Sequence, residues 1–346
     1  MASFGITQLS ISGQLSLAMA QAQRQLAQAQ IEVSTGRHAD MGLSLGGLIS
    51  GDLQWRTELS GLQQISDGDK LAATRATLTQ DSLGTLSDAA AKFISTLTGA
   101  RGADNGQALA RQAAATAYDQ LVSILNTTDN GAYIFGGINS GQTPMATYAG
   151  SPAEAAVSAA FQTSFGMLPD DPAAASITPA AMQSFLDTGF NDQFQAAQWR
   201  ANWSPASDTL PATRIDKAQT VEAATSAATA PFRQLAQVFT MISRLGTAGL
   251  SQSTFEKIVD QALAMTGGAQ AGLAAEQSRI GLAQAAIGNA TDMLDRRMTA
   301  LTGNIQSVES VDKYEAANRA NALMTQLEAS YTLTGRISQL SLLKYI

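Results

Sequence analysis

"TQLEASYTLTGRISQLSLLKYI", residues 325–346, carries an apolar side chain every three or four positions up to Leu342, Leu343, Tyr345 and Ile346. Chain termini are ordinarily polar and poorly ordered unless something ties them down. The pattern extends toward the N-terminus. Ala320, Met324, Leu327, Tyr331 and Thr334 step by 4, 3, 4 and 3, and Ile337, Leu340 and Leu343 continue the same face. That is the period of a helix with a coiled-coil seam. The other end of the chain matches it. Leu15, Met19, Ala22, Leu26, Ala29 and Val33 step by 4, 3, 4, 3 and 4. One such helix at each end predicts a two-stranded coil that brings Met1 and Ile346 to the same part of the molecule.

Between the two seams the chain reads as long helices, over about 50–78, 80–98, 109–125, 232–245, 253–265 and 268–302, with the terminal helix starting near Ser310. "STGRHADMGLSLGG" (34–47) reads as a loop. In "NTTDNGAYIFGGINSG" (126–141), Asn130-Gly131 is a hairpin turn signal, and Tyr133, Ile134 and Phe135 have β character. Residues 141–211 differ from the rest. Seven of the eight prolines lie there, and Pro231 stands where a helix begins. Phe161, Phe165, Phe185, Phe190, Phe194, Trp199 and Trp203 crowd the same window, and Arg200 is its one basic residue against six acids. The window reads as an inserted domain with a small aromatic core of its own and a solvated acidic face. The expected fold is mainly α: a long, rod-like helical bundle with a terminal two-helix coil, a small β-hairpin and a small inserted domain of mixed or β-containing structure. The expected domains are 1–42 with 304–346 (terminal coil), 43–140 with 212–303 (bundle), and 141–211 (insert).

Composition removes several functions. A net charge of −7 leaves no basic stripe for nucleic acid. With no cysteine there are no disulfides, thiolate metal sites or cysteine nucleophiles. The start lacks the basic and apolar regions of a cleaved secretory signal, and no apolar run reaches the length of a membrane span, so membrane insertion is not expected.

No residue pattern calls for a cofactor or metal. His38, the only histidine, sits in a polar turn without a second ligand. The side chains of Asp170 and Asp171 diverge, and no calcium-loop pattern surrounds them. "GLSLGG" lacks the Lys-Ser/Thr of a phosphate cradle, and no G-x-S-x-G elbow is present. Arg296 and Arg297 read as surface partners of Asp292 and Asp295. Catalysis is therefore not expected. An enzyme hosted in the insert is the remotest reading, and an unrelated coiled-coil adhesin or phage tail component lies nearer.

The N-terminal seam followed by "STGRHADMG", together with "VDKYEAANRANALMTQLEASYTLTGRISQLSLLKYI", resembles the flagellin superfamily over about 1–140 and 212–346. "NTTDNGAYIFGGINSGQTPM" and "LEASYTLTGRISQLSLLKYI" resemble its hook–filament junction subunits more than its filament-forming members, and "TGRHADMGLSLGG" resembles an alphaproteobacterial form. "MGLSLGG" departs from the Asp-Asp-rich segment usual after the flagellin loop. The resemblance implies an extracellular structural subunit of the bacterial flagellum, exported without a cleaved signal. Its terminal helices would line a central export channel. Its implied partners are copies of itself in a ring or helical layer, a neighbouring junction protein and flagellin along the axis, and an export chaperone on the C-terminal helix. The alternative is flagellin itself. The implied assembly interface is Leu15, Met19, Ala22, Leu26, Ala29, Val33, Met324, Leu327, Tyr331, Ile337, Leu340 and Leu343. Elementary energetics agree. Ordering a residue costs about 1–2 kcal/mol of backbone entropy, and one two-helix coil containing Gly335 and many Ser and Thr offsets little of it. The coil is expected to be loose alone and firm among neighbours.

Overall fold

The computed structural model describes residues 3–245 and 249–342, with side chains over 13–245 and 249–336. The helices are α1 (Ser3–Thr35), α2 (Met41–Leu45), α3 (Ile49–Ala100), α4 (Gly106–Leu125), α5 (Pro152–Phe165), α6 (Pro179–Phe185), α7 (Ala196–Asn202), α8 (Ala230–Arg244), α9 (Gln252–Glu309) and α10 (Lys313–Leu342). The strands are β1 (Thr128–Asp129), β2 (Ala132–Tyr133), β3 (Thr213–Arg214) and β4 (Thr220–Val221). The protein is mainly α, as the sequence pattern indicates. Contacts divide it into two units: Met1–Gln64 with Asp295–Ile346, and Ile65–Leu294.

The long helices are fewer and longer than the sequence suggests. The break expected near 78–80 does not occur, because the buried seam of α3 never loses phase. Ala72, Ala76, Thr79, Leu83, Leu86, Ala90, Phe93, Leu97 and Ala100 are all buried at alternating steps of four and three. Gly267 and Gly268 likewise lie inside α9. A glycine costs about 1 kcal/mol in a helix interior, less than the burial of Ala262, Ala269, Leu273, Ile280 and Ile287 along the same seam returns.

In the second unit α3, α4, α8 and α9 enclose one apolar cluster. α8 is buried almost all round, from Phe232 through Ile242, and its Phe239 meets Phe93 edge-on at 5.0 Å. The hairpin forms at Asn130-Gly131, both with positive φ (50° and 80°), and pairs Thr128 with Tyr133 and Asp129 with Ala132. A second antiparallel pair, Thr213 with Val221 and Arg214 with Thr220, follows the insert.

The insert does not keep a core of its own. Its described elements are helical rather than mixed or β-containing, and three of them are entered at prolines. Ser151, Asp171 and Thr178 each cap the turn that the following proline starts, accepting from Glu154, Ala173 and Ala181 N–H. Its rings form a continuous chain: Phe161–Phe185 (5.5 Å), Phe185–Phe190 (5.9 Å), Phe190–Phe194 (5.0 Å), Phe194–Trp203 (4.5 Å) and Trp203–Tyr148 (5.9 Å). From Tyr148 the chain reaches Tyr118 of α4 at 5.9 Å. The buried Thr254 hydroxyl of α9 donates to the Ile177 carbonyl at 2.8 Å. A segment of about seventy residues is marginal by its own burial. Merging with the bundle cluster supplies the missing cover.

Candidate functional site

The first unit is built on the antiparallel pair of α1 and α10. Ala29 packs with Ala320 and Leu323, with Leu26 against them. Gln23 donates to the Tyr331 hydroxyl at 2.6 Å, and the Thr334 hydroxyl to the Met19 sulfur at 3.7 Å. Of the predicted interface residues, Ala22, Ala29 and Leu327 are buried, and Leu15, Met19, Leu26 and Val33 are half-buried. Met324 and Tyr331 stand beside the intrachain seam, 46% and 50% exposed. The pair is closed instead by Ala316, Ala320, Leu323 and Leu327. That set also steps by 4, 3 and 4, and its phase puts Leu323 against the small Ala29. The side chains of Ile337 and Leu340, and Leu343 altogether, lie outside the described residues.

Beyond the seam the pair leaves large apolar groups in water. Leu17 is 73% exposed, and Ile31 and Leu333 are about half exposed. Further along the unit Leu43, Leu48 and Leu53 are exposed too.

Where α1 ends and α10 begins, the unit is fastened by charge. Gly36 adopts φ +72°, and its carbonyl accepts from Val311 N–H at 3.0 Å. A Cβ there would come within 2.7 Å of the Lys313 side chain. His38 N–H donates to the Glu309 carbonyl at 3.0 Å. The Glu309 carboxylate is fully buried and paired with Arg56 and, at 3.4 Å, Arg37. Arg56 also holds the buried Asp52 at 3.0 Å. The buried Glu32 takes Arg319 at 3.4 Å and the His38 ring at 3.9 Å. Asp312 caps α10 by accepting from Tyr314 N–H at 2.8 Å, so that helix starts at Lys313 rather than Ser310.

Sequence reasoning missed this knot. Its members sit on four separate stretches, and neither Glu32 nor Glu309 lies on the seams read from the sequence.

The positions weighed for chemistry have structural work. Asp171 caps a helical turn, Gly46 (φ +52°) closes α2, and His38 belongs to the knot. Arg297 reaches Glu58 across helices rather than the acids expected on its own. Among the described residues no three His, Cys, Asp or Glu side chains group to hold a metal ion, and no helix is long and apolar enough to cross a membrane.

The "AYIFGG" stretch is a staple. The Phe135 carbonyl accepts from Ala227 N–H (2.9 Å), and the Gly136 carbonyl from Ser207 N–H (3.1 Å). Ile138 N–H reaches the Thr209 carbonyl at 3.1 Å, and the Asn139 amide the Pro205 carbonyl at 2.9 Å. Gly137 has φ +61°, and a Cβ would fall 2.4 Å from the Ser207 carbonyl oxygen, so no side chain fits.

Against known proteins, the family profile of the bacterial flagellin N-terminal helical region matches residues 6–140, and that of the flagellin C-terminal helical region matches 263–346. No curated protein matches the chain in sequence. Among solved structures, one assigned as a flagellar hook-associated protein from Vibrio parahaemolyticus aligns at 10% identity and a TM-score of 0.39. It covers 72% of this chain and 95% of its own. So distant a likeness carries no structural argument.

Proposed function

From its membership of the bacterial flagellin family, which makes it a structural, self-associating subunit of the flagellum, we propose that this chain works at the hook–filament junction, as hook-associated protein 3 does. The observation that carries the proposal is the α1–α10 pair. It satisfies a seam within the chain and still presents Leu17, Ile31, Met324 and Tyr331 to solvent. Such a pair is half of an interface. Its neighbours are copies of itself in a ring or helical layer, an adjoining junction protein on one axial side, and flagellin on the other. Ile337, Leu340 and Leu343 continue the face by sequence period, and there an export chaperone would cover the C-terminal helix before assembly.

The junction role, as against filament formation, is supported by the resemblance of "NTTDNGAYIFGG" and of the terminal stretch to junction subunits. A junction subunit must prefer unlike partners on its two axial faces, whereas flagellin must accept itself without limit. Electron micrographs of the purified protein mixed with isolated hooks test this. The expected result is a short added zone of fixed length and no micrometre filaments at high concentration. Long filaments grown from this protein alone would move it to the filament-forming branch.

A further inference from the structure

The second unit holds a cavity of about 350 Å³ between α4, α5 and the end of α8. This lies within the size range of small-molecule sites. Two guanidinium groups line it, Arg111 from α4 and Arg244 from the last turn of α8. Among the described residues neither has a carboxylate partner within ion-pair distance. The recorded contact of Arg244 is with the Tyr148 ring, whose centroid lies 5.0 Å from its guanidinium carbon. Stacking leaves the edge of the guanidinium free to donate. Arg101, on the neighbouring loop, holds Asp260 at 2.8 Å.

We propose that this cavity binds a small polyhydroxylated carboxylate, a sugar acid in chemical class, with Arg111 and Arg244 taking the carboxylate. This reading does not depend on the junction role. Two arginines on the lining of one cavity suit a carboxylate, which can accept paired N–H bonds from a guanidinium. The rest of the lining favours a ligand rich in hydroxyls over an alkyl acid. Gln112 and Ser158 offer an amide and a hydroxyl, and Asp170 at the rim can accept from a sugar hydroxyl. Glu154 already accepts from Gly150 N–H at 2.7 Å and keeps further acceptor capacity. Burial, with Glu154 adding to it, pushes the Tyr148 hydroxyl up, so it stays a neutral donor. The two acids among the lining residues work against a bare anion. Selection therefore requires the carboxylate and the hydroxyls together.

Calorimetric titration of the full chain at low salt with galacturonate, gluconate and N-acetylneuraminate tests the proposal. At least one should bind saturably at a single site, and neutral galactose should not. Arg111→Ala and Arg244→Ala should each weaken binding at least tenfold while leaving the helical melting curve in place. Arg101→Ala, which removes an arginine paired elsewhere, should leave affinity unchanged. Lack of saturation by all three acids, equal affinity for inorganic phosphate, or unchanged affinity in both arginine variants would overturn it.

Discussion

The two units treat buried charge in opposite ways. The unit formed by the chain ends is neutral, with nine basic and nine acidic residues, and the other carries the whole net charge, with twelve against nineteen. In the first, the buried carboxylates Glu32, Asp52 and Glu309 each face an arginine. In the second, Asp69 sits on the α3 seam at 0% exposure, and neither of its oxygens finds a hydrogen-bond partner among the described residues. Ser66, one turn earlier, has an unpartnered hydroxyl as well. A buried pair fixes geometry and fails when one member is lost, whereas a bare acid opposes the fold and is relieved by a proton.

The largest effect should come from removing the shared arginine. Arg56→Ala leaves Glu309 and Asp52 buried without it, and should destabilise the terminal unit by about 3 kcal/mol. Amide exchange across the first turns of α10 should speed up, while α8 stays protected. Exchange unchanged in α10 would show that Arg37 alone satisfies Glu309, and the contrast would collapse.

Asp69 gives a smaller effect of the opposite sign. Burial pushes its carboxyl up to about 6, against about 3.9 in an unfolded chain. Because the folded value is the higher, the fold favours the protonated acid. The penalty is fully present above about pH 6 and disappears as pH falls toward 4. Asp69→Asn should therefore raise stability by about 2 kcal/mol at pH 7.5, with no gain near pH 4, as read from urea midpoints. Destabilisation at pH 7.5 would mean that the ionised carboxylate has a partner.

The smallest effect on stability carries the largest on function. Leu17→Asp and Met324→Asp alter exposed positions and should change monomer melting by less than about 0.5 kcal/mol. Both should block addition to hooks, since the new charge is desolvated only between subunits. A clear fall in monomer melting temperature would place those residues in the intrachain seam after all.

The period of the terminal helices was legible because a step of four and three needs only local sequence. The phase was less so. Leu323 and Met324 both fit the spacing, and the choice between them is made by Ala29, nearly 300 residues away. The charged knot was illegible for the same reason, since Arg56 and Glu309 are 253 residues apart in sequence. The aromatic cluster was legible as buried. What it packs against was not, because Tyr118 and Tyr148 carry no sign of their neighbours. One glycine pair misled in the other direction: Gly267-Gly268, beside which the sequence reading broke the helix, lies within the unbroken α9.

The pairing of Gln23 with Tyr331 spans 308 residues, and this has a kinetic consequence. Contacts so remote in sequence are slow to form from an open chain, because closing the loop costs entropy before any contact repays it. Once the 65–294 unit has folded, residues 65 and 294 are fixed relative to each other. The search left to α1 and α10 then shrinks to the arms of residues 1–64 and 295–346. The terminal pair is therefore expected to close last and open first.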